Sequence, residues 1–192
     1  MSPVRCRWCN RNNPIYVAYH DTEWGVPQHD DRKLFELLIL ESFQAGLSWE
    51  TVLNKRENFC AAFDGFDPNL IQYYDHVKIL SLMNNPGIIR NRRKIEAAIM
   101  NARVFLDIQN EWGSFDAYLC HFTGSKPIYE VDQVKSSLSD SVSADLRKRG
   151  MKFVGSTIIY SYLQAIGRIY SHDQNCFLFC NPKSEIEKPA YG

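Results

Sequence analysis

The chain has 192 residues, enough for one domain, or one domain with a smaller annex, around a sizeable core. Apolar residues make up 45% and charged residues 23%, and 22 basic residues balance 22 acidic ones, so no overall field attracts the protein to nucleic acid or an anionic membrane. The sequence has neither a signal-peptide pattern nor an apolar run near the roughly 18 residues of a membrane span, which predicts a cytoplasmic protein without a membrane partner. Six cysteines in that compartment favour free thiols or metal ligands over disulfides.

The predicted elements are helices, because apolar residues recur with the period of a helix and no segment alternates with period two. An all-α fold is therefore expected. The predicted helical segments, in chain order, are residues 31–45, 48–65, 67–83, 88–109, 114–121, 143–149 and 156–170. Residues 123–143, rich in Ser, Lys, Asp and Gly, are predicted to form an irregular connection. The first 30 and the last 25 residues are too irregular to fold without help.

The helix predicted at residues 31–45 places one carboxylate in the middle of an apolar face. At about 100° per residue, the direction of Glu41 lies within about 60° of four apolar residues, Leu34, Leu37, Leu38 and Ala45. A lone carboxylate in such surroundings is costly unless it is protonated, receives hydrogen bonds or faces a cation. Glu41 is therefore a candidate functional residue.

Aromatic residues are dense in the segments that precede and follow this helix. Tyr16 and Tyr19 lie in IYVAYHDTEWG, and Trp49 lies just past the turn that follows Glu41. Aromatic planes around a buried acceptor are what a pocket for a flat, electron-poor or cationic ring requires. The alternative is that Glu41 accepts hydrogen bonds from the backbone amides of residues 47–49 while the aromatic rings fill the core.

Cysteines and histidines at metal-ligand spacing occur near both ends of the chain. Cys6, Cys9 and His20 lie near the start, and His172 and Cys176 lie four residues apart near the end. Two thiolates and two imidazoles would form a closed tetrahedral zinc site that joins the termini and contributes to folding. Spacing alone leaves open whether Cys6 pairs with Cys9 or with His20, and whether these residues are linked at all.

A basic helix end, two glycines and a second helix follow one another in RKRGMKFVGS, which predicts a helix-hairpin-helix. The backbone amides of Val154, Gly155 and Ser156 would be unpaired at the start of the second helix and would suit a phosphate oxygen. The basic neighbours that would add attraction to a DNA backbone are Arg147, Lys148, Arg149 and Lys152. The alternative is an ordinary helical corner with a solvated charged surface.

A second basic cluster lies early in the segment predicted at residues 88–109. It comprises Arg90, Arg92, Arg93 and Lys94. A cluster of this kind is usually a solvated helix face, and we interpret it in that way.

Six sequence blocks together resemble the bacterial DNA-3-methyladenine glycosylase I family. In chain order they are RCRW, IYVAYHDTEWGVP, LESFQAGLSWETVLNKRENF, GIIRNRRKI, LRKRGMKFVGSTIIYSYLQAIG and the pair His172 and Cys176. The resemblance implies a helix-hairpin-helix glycosylase fold in one domain, residues 1–180. It also implies a small zinc-binding annex, formed by residues 1–30 and 168–180, that joins the two termini. Residues 181–192 are expected to be a flexible tail.

The resemblance also implies which residues bind the metal. The family's zinc ligands fall on Cys6, His20, His172 and Cys176, which makes Cys9 a bystander. Four protein ligands leave no open position for a catalytic water, so one structural Zn²⁺ per chain is expected.

The pocket residues implied by the resemblance are Glu41, with the catalytic role, and its aromatic neighbours Trp49, Tyr16 and Tyr19. They would bind a flipped adenine that carries a methyl group at N3, because an ionised carboxylate accepts from its exocyclic amine and offsets its positive charge. The expected reaction is hydrolysis of the N-glycosidic bond, which releases the free base and leaves an abasic site. The expected partner is double-stranded DNA with alkylated bases, bound by a monomer. The residues expected to contact its backbone are Lys152, Val154, Gly155 and Ser156.

Two other functions are compatible with parts of this pattern. A zinc-stabilised DNA-binding module without catalysis would keep the hairpin and the metal but would not need Glu41. A zinc hydrolase would need an open metal position, and therefore three protein ligands only. Asp173 lies downstream of the hairpin, where many relatives in the wider superfamily carry a catalytic aspartate, but it adjoins a zinc ligand and is given no catalytic role.

Overall fold

A computed structural model of the chain describes residues 3–180, and this part of the chain is mostly helical. Its α-helices are α1 (Pro14–Thr22), α2 (Asp31–Gln44), α3 (Trp49–Leu53), α4 (Arg56–Ala62), α5 (Pro68–Ile71), α6 (His76–Asn84), α7 (Arg92–Trp112), α8 (Phe115–Thr123), α9 (Ser137–Lys148) and α10 (Ser156–Ala165). A 3₁₀ turn (Asp64–Phe66) and two parallel strands, β1 (Ile128–Tyr129) and β2 (Ile169–Tyr170), complete the regular structure. Within residues 3–180, no helix is long and apolar enough to span a membrane.

Helix α2 lies at the centre of the core. It packs against α3, α7, α8 and α10, and every residue from Leu34 to Phe43 is buried. A helix that is buried on all sides must satisfy or neutralise any polar group that it carries. Asp30 begins the helix, since its carboxylate accepts a hydrogen bond from the Lys33 amide at 2.9 Å. The buried position of Glu41 thus follows from the central position of α2.

Two of the long helical segments that the sequence predicts are divided in the structure. Residues 48–65 form α3, α4 and the 3₁₀ turn, in which Gly65 has a φ of 66° that a helix cannot contain. Residues 67–83 form α5 and α6, because the side chain of Asp75 accepts from the Lys78 amide at 2.8 Å and begins a new helix. Both divisions come from local caps and turns that the hydrophobic period does not reveal.

Three further boundaries differ from the prediction. Residues 1–30 contain α1, which begins where Asn13 caps the helix and Pro14 occupies the first helical position. The connection predicted at 123–143 ends early, because Ser136 and Ser139 form a capping box that begins α9. The helix predicted at residues 156–170 ends at Ala165, and β2 follows it. The two strands, of two residues each, add one short parallel pairing to a fold that is mostly helical, as the sequence predicts.

The two ends of the described chain lie against each other. The Phe177 amide donates to the Val4 carbonyl at 2.8 Å, and the Arg7 amide donates to the Asp173 carboxylate at 2.7 Å. Near the end of α10, a Cβ at Gly167 would lie 2.5 Å from the backbone nitrogen of Pro27, so the segment after α1 approaches α10 closely. The tail predicted at residues 181–192 lies outside the described residues.

Candidate active site and metal cluster

A cavity of about 220 Å³ opens beside the C-terminal part of α2. Its walls come from α1, α2, the start of α3 and α10. The lining residues are Trp8, Tyr16, Tyr19, Trp24, Glu41, Gln44, Trp49, Ser161 and Gln164. All four pocket residues named from the sequence, Tyr16, Tyr19, Glu41 and Trp49, therefore line one cavity. It is smaller than the pockets of about 300–1,000 Å³ that hold drug-sized ligands, and so suits a single small ring system.

Glu41 is 3% exposed, and its Oε2 has no hydrogen-bond partner among residues 3–180. Burial raises the pKa of Glu41 to about 8, which favours the protonated form of the group near neutral pH. The alternative based on the amides of residues 47–49 is wrong for the described chain, which has no hydrogen bond from them to Glu41. The Leu47 amide instead donates to the Gln44 carbonyl at 2.6 Å.

Two other buried polar atoms in the same cavity also have no partner in the described part of the chain. They are Oε1 of Gln44 and Nε1 of Trp49. Buried polar atoms are almost always hydrogen-bonded, so several unsatisfied ones in one cavity indicate a polar ligand. With Glu41, the cavity offers acceptors for N–H groups and one N–H donor. A heteroaromatic ring with polar groups on its edge has this pattern.

Aromatic rings form the walls of the cavity. The rings of Tyr19 and Trp49 have centroids 5.3 Å apart, and those of Trp8 and Trp24 are 4.8 Å apart. Burial raises the pKa of Tyr16 to about 12, so its hydroxyl is neutral. The cavity therefore combines neutral π-surfaces with one titratable carboxyl, which favours a flat cation over a flat anion.

Sequence reasoning did not assign five of the lining residues to the pocket. They are Trp8, Trp24, Gln44, Ser161 and Gln164. Ser161 and Gln164 lie three residues apart, and so on one side of α10, a helix that is otherwise mostly apolar. That pair of polar residues was a usable signal. Trp8 and Trp24 come from the irregular N-terminal region, where no periodicity predicts which way a side chain faces.

Four buried side chains near the termini bring their ligand atoms together. The residues are Cys6, His20, His172 and Cys176, and their ligand atoms all lie within 4.8 Å of one another. Cys9 is not in this cluster, and its thiol instead contacts the Tyr16 carbonyl at 3.9 Å. The structure therefore supports His20, and not Cys9, as the partner of Cys6 in a group that could bind a metal ion.

Three distances among the ligand atoms of the cluster agree with a tetrahedral ion. Nδ1 of His172 lies 3.4 Å from Sγ of Cys6 and 3.6 Å from Sγ of Cys176, which lies 3.5 Å from Nε2 of His20. A tetrahedral zinc ion, with sulfur at about 2.3 Å and nitrogen at about 2.05 Å, holds neighbouring ligand atoms about 3.5 Å apart. Two thiols and two imidazoles are also the donor set that such an ion takes.

The surroundings of the cluster orient its imidazoles. Nδ1 of His20 lies 2.7 Å from the Asp21 carboxylate, which forms two hydrogen bonds with Arg5. The hydrogen bonds from Arg5 lower the pKa of Asp21 below its usual value, so this carboxylate remains charged. Burial lowers the pKa of His172 to about 4 and keeps its imidazole neutral. A carboxylate behind one imidazole, and neutral ring nitrogens, are typical of metal-binding histidines.

The Cys/His cluster and the cavity share a wall. The indole ring of Trp24 packs edge-on against the imidazole of His172, and the ring of Trp8 lies 5.2 Å from that of His20. Both tryptophans also line the cavity. A cluster that fixes the imidazoles therefore also fixes two aromatic walls of the pocket.

The turn between α9 and α10, residues 149–155, is held by buried polar contacts. Asn101 accepts from the Lys152 amide at 2.8 Å and donates to its carbonyl at 3.0 Å, and Ser143 donates to the Val154 carbonyl at 2.7 Å. Helix α10 begins without a side-chain cap. A shallow groove beside the turn is lined by Ala144, Arg147, Lys148, Met151, Lys152, Phe153, Val154 and Gly155.

Comparison with known proteins agrees with the fold. A family model described as methyladenine glycosylase matches residues 8–179. The chain belongs to this family of DNA-base glycosylases.

The particular relatives are enzymes named for 3-methyladenine. The chain is 44% identical over 180 residues to DNA-3-methyladenine glycosylase 1 of Escherichia coli (strain K12), covering 90% of this chain and 95% of that protein. It is 40% identical to DNA-3-methyladenine glycosylase of Haemophilus influenzae (strain ATCC 51907 / DSM 11121 / KW20 / Rd), covering 90% and 96%.

Solved structures show the same similarity. A crystal structure of 3-methyladenine DNA glycosylase I aligns with a TM-score of 0.88 at 44% identity, covering 92% of this chain and all of that one. A structure of the Staphylococcus aureus enzyme, described as the basis of its 3-methyladenine recognition, aligns with a TM-score of 0.86 at 34% identity, covering 90% and 94%.

Proposed function

We propose that this protein is a DNA glycosylase of base-excision repair. It flips adenine methylated at N3 out of the duplex and hydrolyses its N-glycosidic bond, which releases 3-methyladenine and leaves an abasic site. The observation that carries the proposal is the unpaired, buried Oε2 of Glu41 in an aromatic cavity. The names of the relatives, and the complex of one of them with 3-methyladenine, support the same substrate.

Glu41 selects the methylated base by charge. Burial favours the neutral form of the carboxyl group in the free protein, because ionising it in apolar surroundings is costly. A cationic base supplies the missing positive charge, and its exocyclic amine supplies a donor, so the ionised carboxylate becomes the favoured form. Neutral adenine has the amine donor but no positive charge, so its binding to the carboxylate is much less favourable.

Aromatic contacts position the flipped base. Trp49 stacks on the base, while Tyr16 and Tyr19 close the cavity around it. Stacking of a base on an aromatic side chain is worth about 1–3 kcal/mol. Stacking discriminates little between bases, so the choice of base comes from the polar groups that line the cavity.

The chemistry requires little activation of the leaving group, because methylation at N3 already makes the base a good one. The protein must hold the nucleotide outside the stack and stabilise positive charge on the sugar while water attacks. The ionised Glu41 contributes to that stabilisation. Asp173 takes no part in the proposed reaction, since its carboxylate binds Arg7 and does not line the cavity.

The α9–α10 turn is the proposed helix-hairpin-helix contact to the DNA backbone. The amides of Val154, Gly155 and Ser156, at an uncapped helix start, would face a phosphate oxygen, and Lys152 would add attraction. The basic side chains in the adjoining groove support this position. The protein binds its substrate base within double-stranded DNA. It acts as a monomer in the cytoplasm.

Cys6, His20, His172 and Cys176 are proposed to hold one Zn²⁺ ion. The ion would cross-link the two ends of a single domain, residues 1–180, and so stabilise the fold. All four positions of a tetrahedral ion would be taken by the protein, so a zinc hydrolase is not supported. The ion would fix the annex formed by residues 1–30 and 168–180, and with it the tryptophan walls of the cavity.

Duplex DNA treated with a methylating agent tests the proposal directly. The free bases released by the purified protein are separated by chromatography, and 3-methyladenine should be released while 7-methylguanine largely remains in the DNA. Glu41→Gln keeps the size of the side chain and removes its charge, so it should lower release by about 100-fold. Glu50→Gln, which removes a charge outside the cavity, should stay within threefold of the parent. DNA binding without base release would instead support a non-catalytic zinc-stabilised module.

A further inference from the structure

Lys94 is not part of a solvated basic face, as its sequence neighbours suggest. Its residue is 6% exposed, and Nζ donates to the carbonyls of Phe43 at 2.7 Å and Ala45 at 2.5 Å. These carbonyls belong to the end of α2, where backbone acceptors have no partner within the helix. The interpretation of Lys94 as solvated was therefore wrong, and the reason is that it faces the end of another helix.

Lys94 places a cation at the C-terminal end of α2. The last turn of α2 has no basic residue of its own, although the negative end of a helix dipole favours a cation. Lys94 supplies that cation from α7. The same last turn carries Gln44, which lines the cavity, and lies one turn after Glu41. Lys94 thus anchors the segment that joins Glu41 to Trp49.

The same face of α7 also holds the α9–α10 turn. Asn101 follows Lys94 by seven residues, which on a helix is about 10 Å along the axis and nearly the same direction. It binds both the amide and the carbonyl of Lys152 in that turn. The ring of Phe153, in the same turn, lies 5.8 Å from Nζ of Lys94.

We infer that α7 sets the distance between the DNA-backbone contact and the base cavity, and that Lys94 is the positioning residue at the cavity end. Asn101 holds the other end. A flipped nucleotide is attached to the duplex by its own backbone, so the cavity can receive the base only if it lies at the right distance from the phosphate contact. This inference rests on the proposed function.

The test compares Lys94→Met with the parent protein. Methionine keeps the apolar stem and removes the donor. Base release from methylated duplex DNA is measured in a single turnover at saturating enzyme, well below the melting temperature, and is expressed per folded molecule. We expect a fall of at least tenfold. Lys94→Arg, which keeps a cationic donor, should recover part of the rate.

Two further measurements separate positioning from other roles of Lys94. Binding of free 3-methyladenine, followed by tryptophan fluorescence, should weaken less than threefold, because Lys94 does not line the cavity and the variant keeps every residue that does. The salt dependence of DNA binding should be unchanged, because a buried cation contacts no phosphate. The control Arg92→Met removes an exposed charge that pairs with Glu96 one turn further along α7, and should keep single-turnover release within twofold.

The outcomes are distinct. An unchanged rate per folded Lys94→Met molecule would reduce Lys94 to a stabilising residue and overturn the inference. Equal losses in free-base affinity and in release would also overturn it, because Lys94 would then shape the cavity alone. If the parent protein released no 3-methyladenine, the proposed function would fail and the inference with it.

Discussion

The indole ring of Trp24 lies edge-on to the imidazole of His172, with ring centroids 4.7 Å apart and planes at 88°. This contact connects the metal cluster to the cavity, since Trp24 is a wall of one and His172 a member of the other. Stability and base binding should therefore depend on the same four ligands.

Loss of one ligand should affect both properties. Cys176→Ser should lower zinc content, the melting temperature and affinity for 3-methyladenine together, because the proposed Zn²⁺ site would lose one of its four ligands. A chelator should have the same effect on the parent protein. The checks are metal analysis, thermal unfolding and fluorescence titration. Cys9→Ser is the control and should keep a full equivalent of zinc, and a Cys176→Ser protein that does so would remove Cys176 from the ligand set.

The Glu41 carboxyl should make stability depend on pH. Its pKa of about 8 in the folded protein exceeds the ordinary value of 4.5, so the folded state binds more protons than the unfolded state between those pH values. The contribution of the protonated Glu41 carboxyl to the free energy of unfolding is fully present below about pH 4.5 and is lost as the pH rises through about 8.

Glu41→Gln removes this dependence. The variant should be more stable than the parent at pH 9, by several kcal/mol, and the difference should shrink toward pH 5. Denaturant unfolding at a series of pH values measures both proteins under matched conditions. A constant difference between them across this range would mean that the carboxyl is ionised in the free protein.

Trp49 should contribute to binding through its ring. Trp49→Ala should weaken the binding of free 3-methyladenine by about 10- to 100-fold, which corresponds to the energy of one stacked base. Trp112 lies at the end of α7 outside the cavity lining, so Trp112→Phe is the matched control. Calorimetric titration of both variants would contradict the stacking role if they bound the base equally.

Gly155 should be more sensitive in binding than in folding. A Cβ at this position would meet no heavy atom within 4 Å, so Gly155→Ala should leave the melting temperature almost unchanged. The same methyl group would obstruct a phosphate at the start of α10, and duplex binding should weaken severalfold. Lys152→Gln should instead reduce the slope of binding against salt by about one. Unchanged duplex affinity of Gly155→Ala would place the backbone contact elsewhere.

Local patterns in the sequence were enough to predict several features of the site. The helical period placed Glu41 among Leu34, Leu37 and Leu38, and all of them are buried because α2 is the central helix. The starts of the segments predicted at residues 48 and 67 were equally readable, because Ser48 and Asp67 cap α3 and α5 and a cap involves atoms only a few residues apart. Such features depend on neighbours in the chain, which a sequence displays directly.

The same sequence by itself determined a mostly helical fold, a buried carboxyl and a set of metal-type ligands near both ends. Spacing left open whether His20 or Cys9 joins Cys6, and the resemblance implied His20; the tertiary structure brings His20 into the cluster and adds Ser161 and Gln164 to the cavity. It also decided that one of four adjacent basic residues, Lys94, turns inward to cap α2. Each of these outcomes depends on distances between elements far apart in the chain. Packing sets those distances, and a periodic pattern within one segment carries no information about them.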